Sequence, residues 1–98
     1  MEIKIEHGNE MVIKFVGRLD TVSSLELSKK IEEDEIKEDL VIFDMEETEY
    51  ISSAGLRLII SLKKDLTSKG KQLELHNMNP VCAEVFRVTG FNKLITIK

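Results

Sequence analysis

A chain of 98 residues has the length of one ordinary domain, and residues 1–98 are expected to form one. With 42% hydrophobic residues, 33% charged residues and a single proline, its composition is that of a globular domain, unlike a disordered tail or a collagen-like repeat. The 14 basic and 18 acidic side chains leave a net charge of −4, which repels nucleic-acid phosphates and anionic lipid, so no direct nucleic-acid or membrane partner is expected. Ile3 and Ile5 alternate with Glu2, Lys4 and Glu6, His7-Gly8-Asn9-Glu10 supplies turn chemistry, and Met11 to Val16 follows as a second run, which predicts a β-hairpin. This opening is strand-like and unlike a basic-then-apolar leader, and no stretch reaches the ~20 apolar residues of a membrane helix.

After Gly17-Arg18-Leu19-Asp20 the period changes: Val22, Leu25, Leu27 and Ile31 share a broad helix face, and Ser23 followed by Glu26 fits a capping box. A helix beginning between Thr21 and Ser24 is predicted. The acidic residues Glu32 to Glu35, with Glu38 and Asp39, read as a solvated helix end and loop, because like charges repel when buried. Leu40-Val41-Ile42-Phe43 is continuously apolar, the pattern of a central strand covered on both faces.

At about 100° per residue, Gly55, Leu58, Ile59, Leu62 and Leu66 form one stripe opposite Arg57, Ser61, Lys64 and Ser68, which predicts a helix over 56–66 that ends at Gly70. Leu56 and Ile60 fall off that stripe, and Ile60 reads either as a surface contact or as packing beneath a neighbouring segment. Leu73 and Leu75 alternate with polar residues as in a strand nearer the sheet edge. Asn79-Pro80 is an N-cap followed by proline at the first helical position, with Val81, Val85, Phe86 and Val88 as apolar contacts, Gly90 as the stop and a short strand over 94–97. The order β-β-α-β-α-β-α-β implies an α/β fold, a mixed sheet with an N-terminal hairpin and helices packed on it.

Chemistry concentrates at Tyr50-Ile51-Ser52-Ser53-Ala54-Gly55-Leu56-Arg57, where two hydroxyls and two small residues precede the second helix. A helix N-terminus exposes unpaired N–H groups and a partial charge of about +0.5, so a serine there can cap the helix and a phosphate on it is tolerated. The same residues also have a purely structural explanation, with Ser52 or Ser53 as the N-cap, Ala54 and Gly55 small for close packing, and Asp20 capping the first helix. A serine hydrolase is disfavoured because residue 51 is Ile where a nucleophile elbow needs Gly, and only His7 and His76 could serve as base. His7, His76 and Cys82 lack paired metal-ligand spacing, and no glycine-rich phosphate loop is present, so no metal or other cofactor is expected. The lone Cys82 has no partner for an internal disulfide, which fits a reducing compartment and hence the cytoplasm.

Ile51-Ser52-Ser53-Ala54-Gly55-Leu56 resembles the signature of the STAS-domain anti-sigma-factor antagonists, in which a Ser or Thr precedes a small residue and Gly-Leu at a helix start. Gly17-Arg18-Leu19-Asp20, Leu40-Val41-Ile42-Phe43-Asp44 and Val88-Thr89-Gly90-Phe91 resemble three further landmarks of that family, in the same order. The resemblance implies a STAS-like fold and a regulatory, non-enzymatic role. The unmodified protein would bind an anti-sigma factor that is also a serine/threonine kinase and so release a sigma factor. Phosphorylation of Ser53 would switch it off and a serine phosphatase would reverse that. The implied partner surface comprises Asp20, Thr21, Ser52, Ser53, Ala54, Gly55, Arg57 and Ile60. Many relatives carry Asp directly before the acceptor, where this chain has Ser52, a second, less favoured acceptor. A monomer or weak dimer is expected. The alternative within the same fold is a scaffold or accessory module of a stress-signalling or transport assembly.

Overall fold

The computed structural model describes residues 2–98. Strands β1 (Glu2–Glu6) and β2 (Met11–Leu19) pair antiparallel, with Ile3 opposite Phe15 and Ile5 opposite Ile13, so the alternation at the start of the chain is indeed a hairpin. Helix α1 (Thr21–Glu33) leads to β3 (Leu40–Asp44), then β4 (Thr48–Ile51), α2 (Ser53–Ser68), β5 (Gln72–His76), α3 (Pro80–Thr89), a 3₁₀ turn (Phe91–Lys93) and the two-residue β6 (Thr96–Ile97). The sheet runs β1-β2-β3-β5-β6, with β4 added beside β2, and every pairing after the hairpin is parallel. This is the mixed α/β architecture expected from the chain, with β3 in its centre.

Met11 and Ile13 of β2 lie beside Val41 and Phe43 of β3, which lie beside Leu73 and Leu75 of β5. All six are buried and join Leu27 and Ile31 of α1 and Ile59, Leu62 and Leu66 of α2 in one cluster. Burying such side chains contributes roughly 1.5–3 kcal/mol each and holds α1 and α2 on that face. The continuous run in β3 is covered on both faces as expected, Val41 and Phe43 in the core and Ile42 buried on the other face between half-buried Val12 and Glu74.

The strand β4 has no counterpart in the sequence reading. Its four residues follow the acidic Glu46-Glu47 and include Glu49, which reads as loop; β2 makes it a strand by changing partner along its length. Met11 to Lys14 pair with β3, whereas Gly17 to Leu19 pair with β4, and the register slips between Gly17 and Arg18. Gly17 adopts φ 108°, a conformation that side-chain-bearing residues resist, and donates its N–H to Glu47 O at 3.0 Å.

The helices also depart in part from the periodicity. In α1 the cap is Asp20, closed on Ser23 in a capping box, and the expected Ser23–Glu26 box is absent. Val22 and Leu25 are each 67% exposed, because they lie about 140° and 160° around the helix from buried Leu27. Ser23 and Ser24 take the inner positions above Leu27. In α2, Leu56 is buried although it falls off the predicted stripe, while Leu58 on the stripe is only half buried. In α3, Cys82 and Phe86 face the core at i, i+4 spacing and Val81 and Val88 stay exposed, while the last strand shortens to β6 because Phe91–Lys93 forms a 3₁₀ turn.

The acidic stretch after α1 is not uniformly solvated. Glu38 is buried, with Oε2 2.8 Å from His7 Nδ1 and a further bond at 3.2 Å from the Gly8 N–H, and His7 Nε2 lies 2.8 Å from Asp34 Oδ1. The hairpin turn is thereby fastened to the α1–β3 connection. The hydrogen bond to Glu38, then that to Asp34, raises the His7 pKa above its ordinary 6.5. Burial pushes the Glu38 pKa up, but the bonds from His7 and from backbone N–H groups outweigh it and leave it below 4.5.

Candidate functional site

The partner change in β2 brings the ends of β2 and β4 together, Leu19 beside Ile51, and the Ser52 N–H donates to Leu19 O at 2.9 Å. Asp20 therefore begins α1 immediately beside the residues that begin α2. Gly55 tightens the contact, since a Cβ there would lie 2.7 Å from Leu19 O and 2.9 Å from Leu19 Cγ. No larger residue fits without moving backbone. The close-packing explanation for the small residues thus holds at Gly55, whereas Ala54 is half buried.

The two serines have different roles in the helix start. Ser52 is the N-cap, its Oγ accepting from the Gly55 N–H at 3.3 Å. Ser53 is the first helical residue, is exposed, and its hydroxyl makes no hydrogen bond among the described residues. One turn on, exposed Arg57 donates from Nε to Ser53 O at 3.4 Å. An acceptor hydroxyl at a helix N-terminus with a guanidinium one turn away is chemically suited to carry a phosphate without disturbing the core.

Asp20 and Thr21 are exposed beside this turn. The backbone N–H of Ser23, then its hydroxyl, holds the Asp20 carboxyl below its ordinary range, so the group is anionic at neutral pH. Ile60 stands apart: it is half buried and lines a different hollow of about 450 Å³ with Lys63, Lys64 and Leu94. Ile60 packs in part against the core and borders an open surface on its other side. Glu46 and Glu47 precede the start of β4 and Ser53 follows its end, a run of four strand residues or roughly 13 Å, beyond the screening length of about 8 Å. Glu49 is nearer along the chain, and Asp20 is brought near by the pairing of Leu19 with Ile51.

Two features escaped the sequence reading. Arg18 sits over the Tyr50 ring at 4.6 Å from its centroid, a cross-strand pair that ties β2 to β4 directly behind the serines. Asn79 caps α3 as expected, accepting from the Cys82 N–H at 2.8 Å, and its side-chain amide also donates to Thr48 O and Glu49 O. Asn-Pro announces the cap in the sequence; its second role depends on where β4 lies. His76 is paired with Glu74, far from His7 in the sheet, and Cys82 is buried, which pushes its thiol pKa up.

Comparisons with known proteins agree with this geometry. The protein named "Putative anti-sigma factor antagonist BtrV" from Bordetella bronchiseptica is 35% identical over 57 residues, covering 58% of this chain; the match spans about half, 49%, of that relative's length. The solved structure of the unphosphorylated anti-sigma factor antagonist SpoIIAA superposes with a TM-score of 0.83 at 20% identity, covering 99% of this chain and 88% of that one. The phosphorylated form of SpoIIAA, a Bacillus cell fate determinant, superposes with a TM-score of 0.73 at 18% identity, covering 99% and 91%. The sequence model of the STAS domain matches residues 1–98. The chain, with its hairpin-led mixed sheet and its serine-bearing second helix, belongs to the STAS-domain family.

Proposed function

We propose that this protein is an anti-sigma-factor antagonist that works by partner switching and is controlled at Ser53. The unmodified form binds an anti-sigma factor with serine/threonine kinase activity in the cytoplasm and thereby frees a sigma factor. The kinase transfers the γ-phosphoryl group of ATP to Ser53 Oγ, the β–γ anhydride bond breaking to release ADP and the hydroxyl proton leaving as the ester bond forms, and a serine phosphatase hydrolyses that ester to serine and inorganic phosphate. The protein is itself a binding module and no enzyme.

The observation that carries this reading is the exposed, unbonded Ser53 hydroxyl on a helix start held rigid by Ser52 and by the Gly55–Leu19 contact. Phosphate adds about −1.5 to −2 charges and three acceptor oxygens at that point, next to anionic Asp20. A partner docked on Asp20, Thr21 and the first turn of α2 meets both the bulk and the charge. A tenfold loss of affinity needs only about 1.4 kcal/mol, so no change of fold is required. That SpoIIAA has been solved in both forms with this same architecture supports the reading.

Incubation with the cognate anti-sigma kinase and ATP, followed by mass mapping, tests it. Phosphate is expected on Ser53; Ser53→Ala keeps partner binding and resists the kinase, and Ser53→Asp stays folded and binds poorly. Phosphate found only elsewhere removes Ser53 from this role. Stable incorporation into a large particle, without one-to-one kinase binding, places the protein among scaffold modules instead.

A further inference from the structure

The C-terminal halves of α1 and α2 do not close on one another. Two hollows of about 350 and 400 Å³ lie between them and share Ile31, Glu32, Leu62 and Asp65, so they form one continuous groove. Its floor is apolar: Ile31 and Leu62 are buried, and Leu58 and Ile36 are left half exposed. Two small residues, Ser28 of α1 and Ser61 of α2, line it beside Leu58. Its rim carries Glu32, Asp34, Glu35 and Asp65; Lys69 lies 3.2 Å from Asp65, Lys37 3.9 Å from Glu35 and His7 2.8 Å from Asp34, so Glu32 is the rim carboxylate without an ion pair among the described residues.

We propose that this groove docks a basic amphipathic helix of a partner protein, at a site separate from Ser53. An apolar floor between acidic walls takes an occupant with one apolar stripe bordered by Lys or Arg, and it repels acidic helices, nucleic acid and anionic lipid alike. From Leu58 to Lys69 is eleven helical steps, about 16 Å, which accommodates about three turns of a docked helix. Ser53 is twelve steps, about 18 Å, from Asp65 along α2, more than twice the screening length at physiological salt. Charge added at Ser53 is therefore screened from Asp65, although the near end of the groove, at Leu58, is only five steps or about 8 Å from Ser53.

The probe is a fluorescein-labelled synthetic helix of about 14 residues made of Leu and Lys with the leucines on one face, alongside a Leu/Glu counterpart. Against the full chain, the Leu/Lys helix is expected to bind saturably and one-to-one, shifting amide resonances of α1 and α2 around Ile31, Leu58 and Leu62. Reversing two exposed rim charges, Glu32→Lys with Glu35→Lys, is expected to weaken it about tenfold or more. Equal binding of the Leu/Glu helix, undiminished binding to the charge-reversed variant, or a footprint around Glu46 and Glu47 overturns the proposal. So does concentration-dependent self-association that the charge reversal abolishes, which would put a second copy of this chain in the groove.

Discussion

Helices α1 and α2 start side by side, directly after the paired residues Leu19 and Ile51, yet their first turns are built to opposite ends. The start of α1 is closed: Ser23 N donates to Asp20 Oδ1 at 3.0 Å, Asp20 N donates to Ser23 Oγ at 2.8 Å, and that hydroxyl donates to Arg18 O at 2.7 Å. The start of α2 rests on a single capping bond of 3.3 Å and leaves the next hydroxyl in solvent. The difference separates two duties of a serine at a helix N-terminus. Ser23 is buried and spends its hydroxyl on structure; Ser53 is exposed and keeps its hydroxyl available for chemistry, with Ser52 taking over the capping.

Substitutions at this junction sharpen or break the contrast. Gly55→Val has the largest expected effect, a loss of about 3 kcal/mol in urea unfolding, because its Cβ would press on the Leu19 carbonyl and side chain together. A loss well below 1 kcal/mol would mean that α2 can shift freely against β2, and the rigid platform under Ser53 would be gone. Asn79→Ala removes the α3 cap and the two bonds to the start of β4, for about 2 kcal/mol, and is expected to loosen amide-exchange protection in β4 as well as in α3.

Smaller effects separate the two serines. Ser52→Ala is expected to cost about 1 kcal/mol as a lost cap, and Ser53→Ala to stay within about 0.5 kcal/mol of the parent. Equal losses at both positions would erase the division of labour between them.

The smallest effect is at the far end of the molecule, where His7 joins Asp34 and Glu38. Engaging both carboxylates at once requires protons on both ring nitrogens. The raised His7 pKa contributes stability that is fully present below about 6.5 and is lost as pH rises through the folded value. The lowered Glu38 pKa contributes stability present above about 4.5 and lost as pH falls through its folded value. Melting temperatures of His7→Gln should therefore fall below those of the parent most clearly between about pH 4.5 and 6.5. A difference that ignores pH would show the contact to be packing alone.

Local patterns in the chain already determined the hairpin, the central strand, the caps and stops at Asn79, Gly70 and Gly90, and the serine pair at a helix start, because each depends on neighbours a few residues away. Gly70 and Gly90 do adopt positive φ, and α3 does begin at Pro80. What depended on distant partners was not legible. Glu38 looked solvated until His7, 31 residues away, was folded against it. Val22 and Leu25 looked inward-facing until α1 docked through Leu27 and Ile31. Residues 48–51 became a strand only because β2 changes partner at Gly17, and that one event sets Asp20 beside Ser53. Sequence alone determined that a hydroxyl would stand at a helix start. Tertiary packing decided which serine caps and which faces water, because that turns on the Leu19 carbonyl that Ser52 and Gly55 both approach.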